Sequence, residues 1–162
     1  MNQKKLLDRL VRYARIATQS SRVQAGEKTP STDCQWELIR LLEKECREMG
    51  FADVRVNAEG FLIARLPSNL PASTESRSAA PCIGFMAHVD TASDVPGDPV
   101  CPQVHENYSG GVITLSGGVK IDPADNPSLA RYQGDTIITS DGTTLLGADD
   151  KAGVAAIMSA AE

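Results

Sequence analysis

The sequence predicts an α/β fold, a mixed β-sheet flanked by helices. Three observations carry that expectation. Two amphipathic helical patterns open the chain and a hairpin pattern follows them. An apolar, strand-like run, Ile83-Gly84-Phe85-Met86, leads into Ala87-His88-Val89-Asp90-Thr91. A loop of small residues then opens a last helical pattern near Asp149-Asp150.

In residues 3–17, Leu6, Leu7, Leu10, Val11, Ala14 and Ala17 recur at three- and four-residue spacing, with Lys and Arg on the opposite face. That is the period of a helix with one buried stripe. A polar loop follows from Gln19 to Pro30. A second helix is expected from about Thr32, where Thr32 and Gln35 have capping-box spacing. Leu38, Leu41, Leu42 and Cys46 mark its buried face, and Gly50 is placed to end it. Val54-Arg55-Val56 alternates like a strand, Asn57-Ala58-Glu59-Gly60 has turn chemistry, and Phe61 to Leu66 resumes strand character.

Residues 67–81 are rich in Pro, Ser and Ala and read as a surface loop. The apolar run after them reads as a strand ending at His88. Residues 92–111 read as loop, Val112 to Leu115 and Thr136 to Thr139 as strands, and Asp141-Gly142 as a turn between short β segments. Val154, Ala155, Ile157, Met158 and Ala161 form the apolar face of the last helix. That helix meets no glycine cap or proline before Glu162, so the chain is expected to be the N-terminal part of a longer protein.

The chain has 162 residues and a net charge of −5, which argues against a nucleic-acid or anionic-membrane partner. The charge is uneven. Residues 1–50 carry 10 bases and 7 acids, whereas Gly84 to the end carries 11 acids and 3 bases. Such a half suits cations, although turn-forming aspartates in solvated loops account for the same excess. No two of the cysteines at 34, 46, 82 and 101 have CxxC spacing. The N-terminus meets charge again before an apolar signal region can form. No apolar run approaches the roughly 18 residues of a membrane span. A reduced, cytoplasmic protein is the resulting expectation.

His88 and Asp90 carry the first candidate chemistry. Alternate residues of a strand share a side. The Asp90 carboxylate can therefore accept the imidazole N–H that a metal does not use, which orients the ring. A histidine and an aspartate that merely finish a strand fit the same residues. In Gly147-Ala148-Asp149-Asp150-Lys151-Ala152-Gly153, two carboxylates stand at a helix start. Helix-dipole capping explains them, but not why their neighbours are small. A carboxylate has two oxygens and can bridge two cations. Phosphate-loop patterns and a G-x-S-x-G nucleophile are absent. His105, beside Glu106 in a polar stretch, reads as exposed and without a role.

Together, the run into His88-Val89-Asp90-Thr91 and Gly147-Ala148-Asp149-Asp150-Lys151 resemble the M20 zinc metallopeptidases, within them the tripeptide-aminopeptidase branch. Glu106-Asn107-Tyr108-Ser109-Gly110-Gly111, Ile138-Thr139-Ser140-Asp141-Gly142 and Thr143-Thr144-Leu145-Leu146 support the narrower resemblance. It implies a cytoplasmic enzyme with two zinc ions and small peptide substrates. It implies His88 as a ligand to one zinc, Asp90 as the catalytic-site residue that orients it, and Asp149 as the carboxylate bridging both. Asp150 would be a neighbour. The same resemblance implies that the general-base glutamate, the remaining ligands and a lid domain lie beyond residue 162. The isolated chain is then expected to be inactive and to bind zinc weakly. The competing expectations are a non-catalytic segment that self-associates or binds a partner, and another M20 hydrolase such as a dipeptidase or deacylase. A homo-oligomer is compatible with either class.

Overall fold

A computed structural model describes residues 3–70 and 81–162 of the chain. Its main core lies between three helices: α1 (Gln3–Ala14), α2 (Gln35–Glu48) and α3 (Ala148–Ala161). Tyr13, Leu38, Leu42, Cys46, Val154, Ala155 and Met158 are its buried members. Each large aliphatic side chain removed from water here contributes about 1.5–3 kcal/mol. The Tyr13 hydroxyl, fully buried, donates to Glu45. Burial first, and the Glu45 carboxylate second, push its pKa well above the usual tyrosine range.

α1 stops at Ala14, three residues short of the expected end at Ala17, and Ile16 N–H closes a tight turn onto the Tyr13 carbonyl. α2 begins at Gln35, and Thr32 does not cap it. The Thr32 hydroxyl is drawn instead to the Gln19 carbonyl at 2.6 Å and accepts from the Gln35 amide at 3.0 Å. The side chains meet, but away from the helix backbone. The other end behaves as expected. Gly50 takes φ +78°, and Phe51 N–H reaches back to the Cys46 carbonyl at 3.0 Å, the closure a glycine stop provides.

The hairpin is present as β1 (Ala52–Val56) and β2 (Leu62–Arg65), paired antiparallel across the Asn57–Gly60 turn. Farther along, β3 (Gln103–His105) pairs antiparallel with β6 (Ile137–Thr139), and β4 (Ile113–Thr114) with β5 (Lys120–Ile121). Tyr108, Ile113 and Leu115 form a second, smaller core here, with Ile121, Leu129 and Ile137 against it. The α/β class holds. Among the described residues its β component is three separate two-stranded antiparallel sheets, plus one parallel bridge between Gln19 and Thr91.

Three local expectations are corrected. The run Ile83–Met86 is not a strand, and Ile83, Phe85 and Met86 are 71, 77 and 96% exposed. A strand exists only as part of a ladder, and among the described residues none lies beside this run. The stretch read as loop at 92–111 contains β3, whose alternation is too short to register as a pattern. The bend at Asp141-Gly142 leads from β6 toward α3 and joins no two β segments. Its Asp141 carboxylate accepts from the Thr143 N–H and hydroxyl, which lowers the carboxyl pKa. Most of the proposed 67–81 loop lies outside the described residues.

Candidate metal centre

His88 is placed by the residues around it. Ala87 and Val89 pack on the main core, so the chain alternates and His88 faces out. Just beyond, Thr91 is only 4% exposed and is held on both sides. Its N–H donates to the Thr18 carbonyl at 3.0 Å, and its carbonyl accepts from Ser20 N–H at 2.9 Å. The expected strand end is therefore a single-residue bridge to the 18–20 segment, but it still presents the imidazole at the surface.

Asp149 arrives from the other direction. Gly147, at φ +74°, turns the chain into α3, and both Asp149 and Asp150 have non-helical backbone angles. The peptide bond joining them is cis. The two carboxylates diverge in use. Asp150 Oδ1 accepts from Gly153 N–H at 3.0 Å, three residues on, which is the bond of an N-cap. Asp149 is left free of capping, and its side chain is 96% exposed. Two of the small neighbours now have reasons. A side chain at Gly153 would collide with the Asp150 carboxylate. A Cβ at Gly147 would stand 3.0 Å from the Thr91 methyl and 3.5 Å from Lys151 Nζ.

These placements bring His88 and Asp149 together across 61 residues of sequence, with His88 Nε2 3.2 Å from Asp149 Oδ1. On the other edge of the ring, Nδ1 lies 3.0 Å from the Asp90 carbonyl oxygen and 3.2 Å from Asp90 Oδ1. A carbonyl only accepts, so Nδ1 carries a proton and Nε2 is the nitrogen free to give a lone pair when the ring is neutral. Partial burial alone would lower the His88 pKa. The Asp90 carbonyl and charge, with Asp149 opposite, outweigh it and raise the pKa. Asp90 thus flanks Nδ1 through its backbone carbonyl as well as its carboxylate.

His88, Asp90, Thr91, Leu145, Gly147 and Asp149 line a concavity of about 560 Å³. Among the described residues, no group of three or more His, Cys, Asp or Glu side chains converges as a metal would need. His105 is a correction: it is half-buried in β3, its Nε2 3.0 Å from the Thr139 hydroxyl across the ladder, so it has a structural partner.

Lys151 was not singled out from the sequence. It is 1% exposed, and its Nζ donates to the Ile16 carbonyl at 2.6 Å. Burial pulls its pKa down to about 8, with Cys34 nearby acting in the opposite direction. A signal was available. Lys151, Val154, Ala155 and Met158 have i, i+3, i+4, i+7 spacing, which places the lysine on the buried stripe.

The resemblance extends to curated relatives. The sequence is 51% identical over 162 residues to peptidase T of Exiguobacterium sp. strain AT1b, covering 99% of this chain and 37% of that protein. It is 47% identical over 160 residues to peptidase T of Macrococcus caseolyticus, covering 99% of this chain and 37% of that protein. The chain is similar to peptidase T along nearly its whole length. It spans about 37% of the length of these curated peptidase T relatives. A crystal structure of a tripeptidase from Staphylococcus aureus shares the fold, with a TM-score of 0.58 at 20% identity, covering 99% of this chain and 32% of that one. No family model matches the sequence. Among the described residues, no helix is long and apolar enough to cross a membrane.

Proposed function

We propose that residues 1–162 form the N-terminal part of the catalytic domain of a zinc-dependent aminopeptidase that releases the N-terminal residue of tripeptides. The observation that carries this reading is the approach of His88 Nε2 to Asp149 Oδ1 at 3.2 Å over an open concavity. Two ligands of a tetrahedral zinc, each about 2.0–2.1 Å from it, stand roughly 3.3 Å apart. His88 and Asp149 therefore fit two ligand positions of such an ion, short of the full set. His88 would bind one ion through Nε2. Asp149, with most of its carboxylate open to solvent, would bridge a pair of ions.

Zinc, when bound, would supply Lewis acidity to polarise a peptide carbonyl and acidify water. The chain's own residues have simpler tasks. Asp90 holds the Nδ1 proton and so keeps the Nε2 lone pair directed into the concavity. Asp150, occupied in capping α3, holds the helix start and leaves Asp149 free. The lid domain, the general-base glutamate and the other ligands belong, on this reading, to the length that the relatives have and this chain does not span. The substrate is a small peptide, the compartment is the cytoplasm, and nucleic acid and membrane are not partners.

The test compares this chain with the whole protein. The whole protein should cleave tripeptides and lose that activity on zinc removal. The purified 162-residue chain should bind zinc weakly and cleave nothing. Measurable tripeptide cleavage by the short chain would overturn the division of the site. A second reading, a non-catalytic segment that self-associates, draws on the exposed Ile83, Phe85 and Met86. The reading frame after Glu162 separates the two. A glutamate pair downstream, with an aspartate and a histidine later, supports the enzyme, and an early stop supports the segment.

A further inference from the structure

We infer that Lys151 is a positioning residue that sets Asp149 against His88, an inference resting on the reading of those two residues as metal ligands. The segment from Ile16 to Ser20 is the common anchor. Its Ile16 carbonyl receives the Lys151 ammonium at 2.6 Å. Its Thr18 carbonyl and Ser20 N–H grip Thr91 at 3.0 and 2.9 Å. Lys151 lies two residues after Asp149, and Thr91 three residues after His88. The two ligands are far apart in sequence, yet both are registered on five residues of one backbone. Gly147 closes the arrangement: at φ +74° a side chain is strained, and a Cβ there would crowd the Thr91 methyl at 3.0 Å.

The chemistry of the buried group supports a positioning role over simple filling. Val154, Ala155 and Met158 fill the same helical stripe with apolar side chains, and a methionine has the length to replace this lysine. An ammonium that is 1% exposed costs desolvation. What it provides in return is a directional, charge-assisted bond to one carbonyl, which fixes the position of the helix start in a way that an apolar contact does not. Asp149 itself has no capping bond to hold it. Its place depends on Gly147 before it and Lys151 after it.

The experiment uses Lys151→Met in the whole protein, with Co²⁺ as the metal probe. Outer partners of metal ligands typically carry about 10–100-fold in affinity or activity. Co²⁺ affinity should fall by that order and its visible absorption band should change. The turnover number should fall similarly with KM little altered, while the metal-free protein still melts cooperatively. Lys151→Arg, which keeps a donor for the Ile16 carbonyl, should recover part of the loss. Native Co²⁺ affinity and native turnover in Lys151→Met would overturn the inference. Should that variant not fold, Gly147→Ala presses on the same arrangement and should lose affinity too, and native Co²⁺ binding there would overturn it equally. His88→Ala and Asp149→Asn are the controls. If neither changes Co²⁺ binding, the metal-ligand reading falls. If both do and Lys151→Met does not, only the positioning role falls.

Discussion

The Asp149 side and the His88 side of the candidate centre are built in contrasting ways. Asp149 stands at the start of a helix that carries its own cap, its own buried stripe and a buried lysine bonded to Ile16. His88 follows a run outside any ladder, with Ile83, Phe85 and Met86 exposed, and among the described residues it is placed by Ala87 and Val89 on the main core and by the Thr91 bridge. A helix satisfies its backbone hydrogen bonds within itself, whereas a strand must borrow them from neighbours. The first side therefore takes its backbone bonds from its own helix, and the second, among the described residues, takes them from one bridge.

The largest expected effect breaks the centre as a whole. His88→Ala or Asp149→Ala in the whole protein should lower kcat/KM for a tripeptide by about 10³-fold or more, equivalent to roughly 4 kcal/mol. Tripeptide hydrolysis followed by release of the N-terminal residue measures it. A loss on one side only would mean that the two residues do not share a site.

Next in size is a contrast in stability. Leu38→Ala, in the fully buried core beneath α3, should cost about 2–5 kcal/mol in urea unfolding of the 162-residue chain. Phe85→Ala, at 77% exposure, should stay within about 0.5 kcal/mol of the parent. Equal losses would show that the 83–86 run is packed after all.

A smaller effect isolates the role of Asp150. Asp150→Ala removes the bond to Gly153 N–H and should cost about 0.5–2 kcal/mol. The loss should be visible as a lower urea midpoint and faster amide exchange in the first turn of α3. Unchanged exchange there would show that Asp150 does not cap α3. Smallest is the surface pair that links the polar loop to the segment after His88. Arg22 and Asp94 approach at 2.8 Å, but both are well exposed. Arg22→Ala should cost no more than about 1 kcal/mol, and that should fade in high salt.

The helices were legible because their signal is local. Leu38, Leu42 and Cys46 recur at helical spacing, and Gly50 supplies the positive φ that ends α2. Asn57 to Gly60 likewise announced its hairpin. The errors share another cause. The Thr32 hydroxyl was drawn away by Gln19, distant in sequence. β3 was missed because its partner β6 lies more than thirty residues on. The 83–86 run has the composition of a buried strand, but composition does not supply the neighbours. At the site, His88, Asp90 and Asp149 were candidates from residue type and setting. Lys151 has the spacing of the buried stripe, but an ammonium is ordinarily solvated, so its residue type points the other way.

Residue type and periodicity alone established three helices, one hairpin and two small motifs able to carry metal chemistry. Those follow from steric and hydrogen-bonding preferences within a few residues of chain. Only the tertiary structure decided that the motifs meet, which aspartate faces the imidazole, and which carbonyl receives the buried lysine. These depend on contacts across 61 to 135 residues. No local preference encodes such contacts, because they exist only once the Ile16–Ser20 segment, Thr91 and the start of α3 pack against one another.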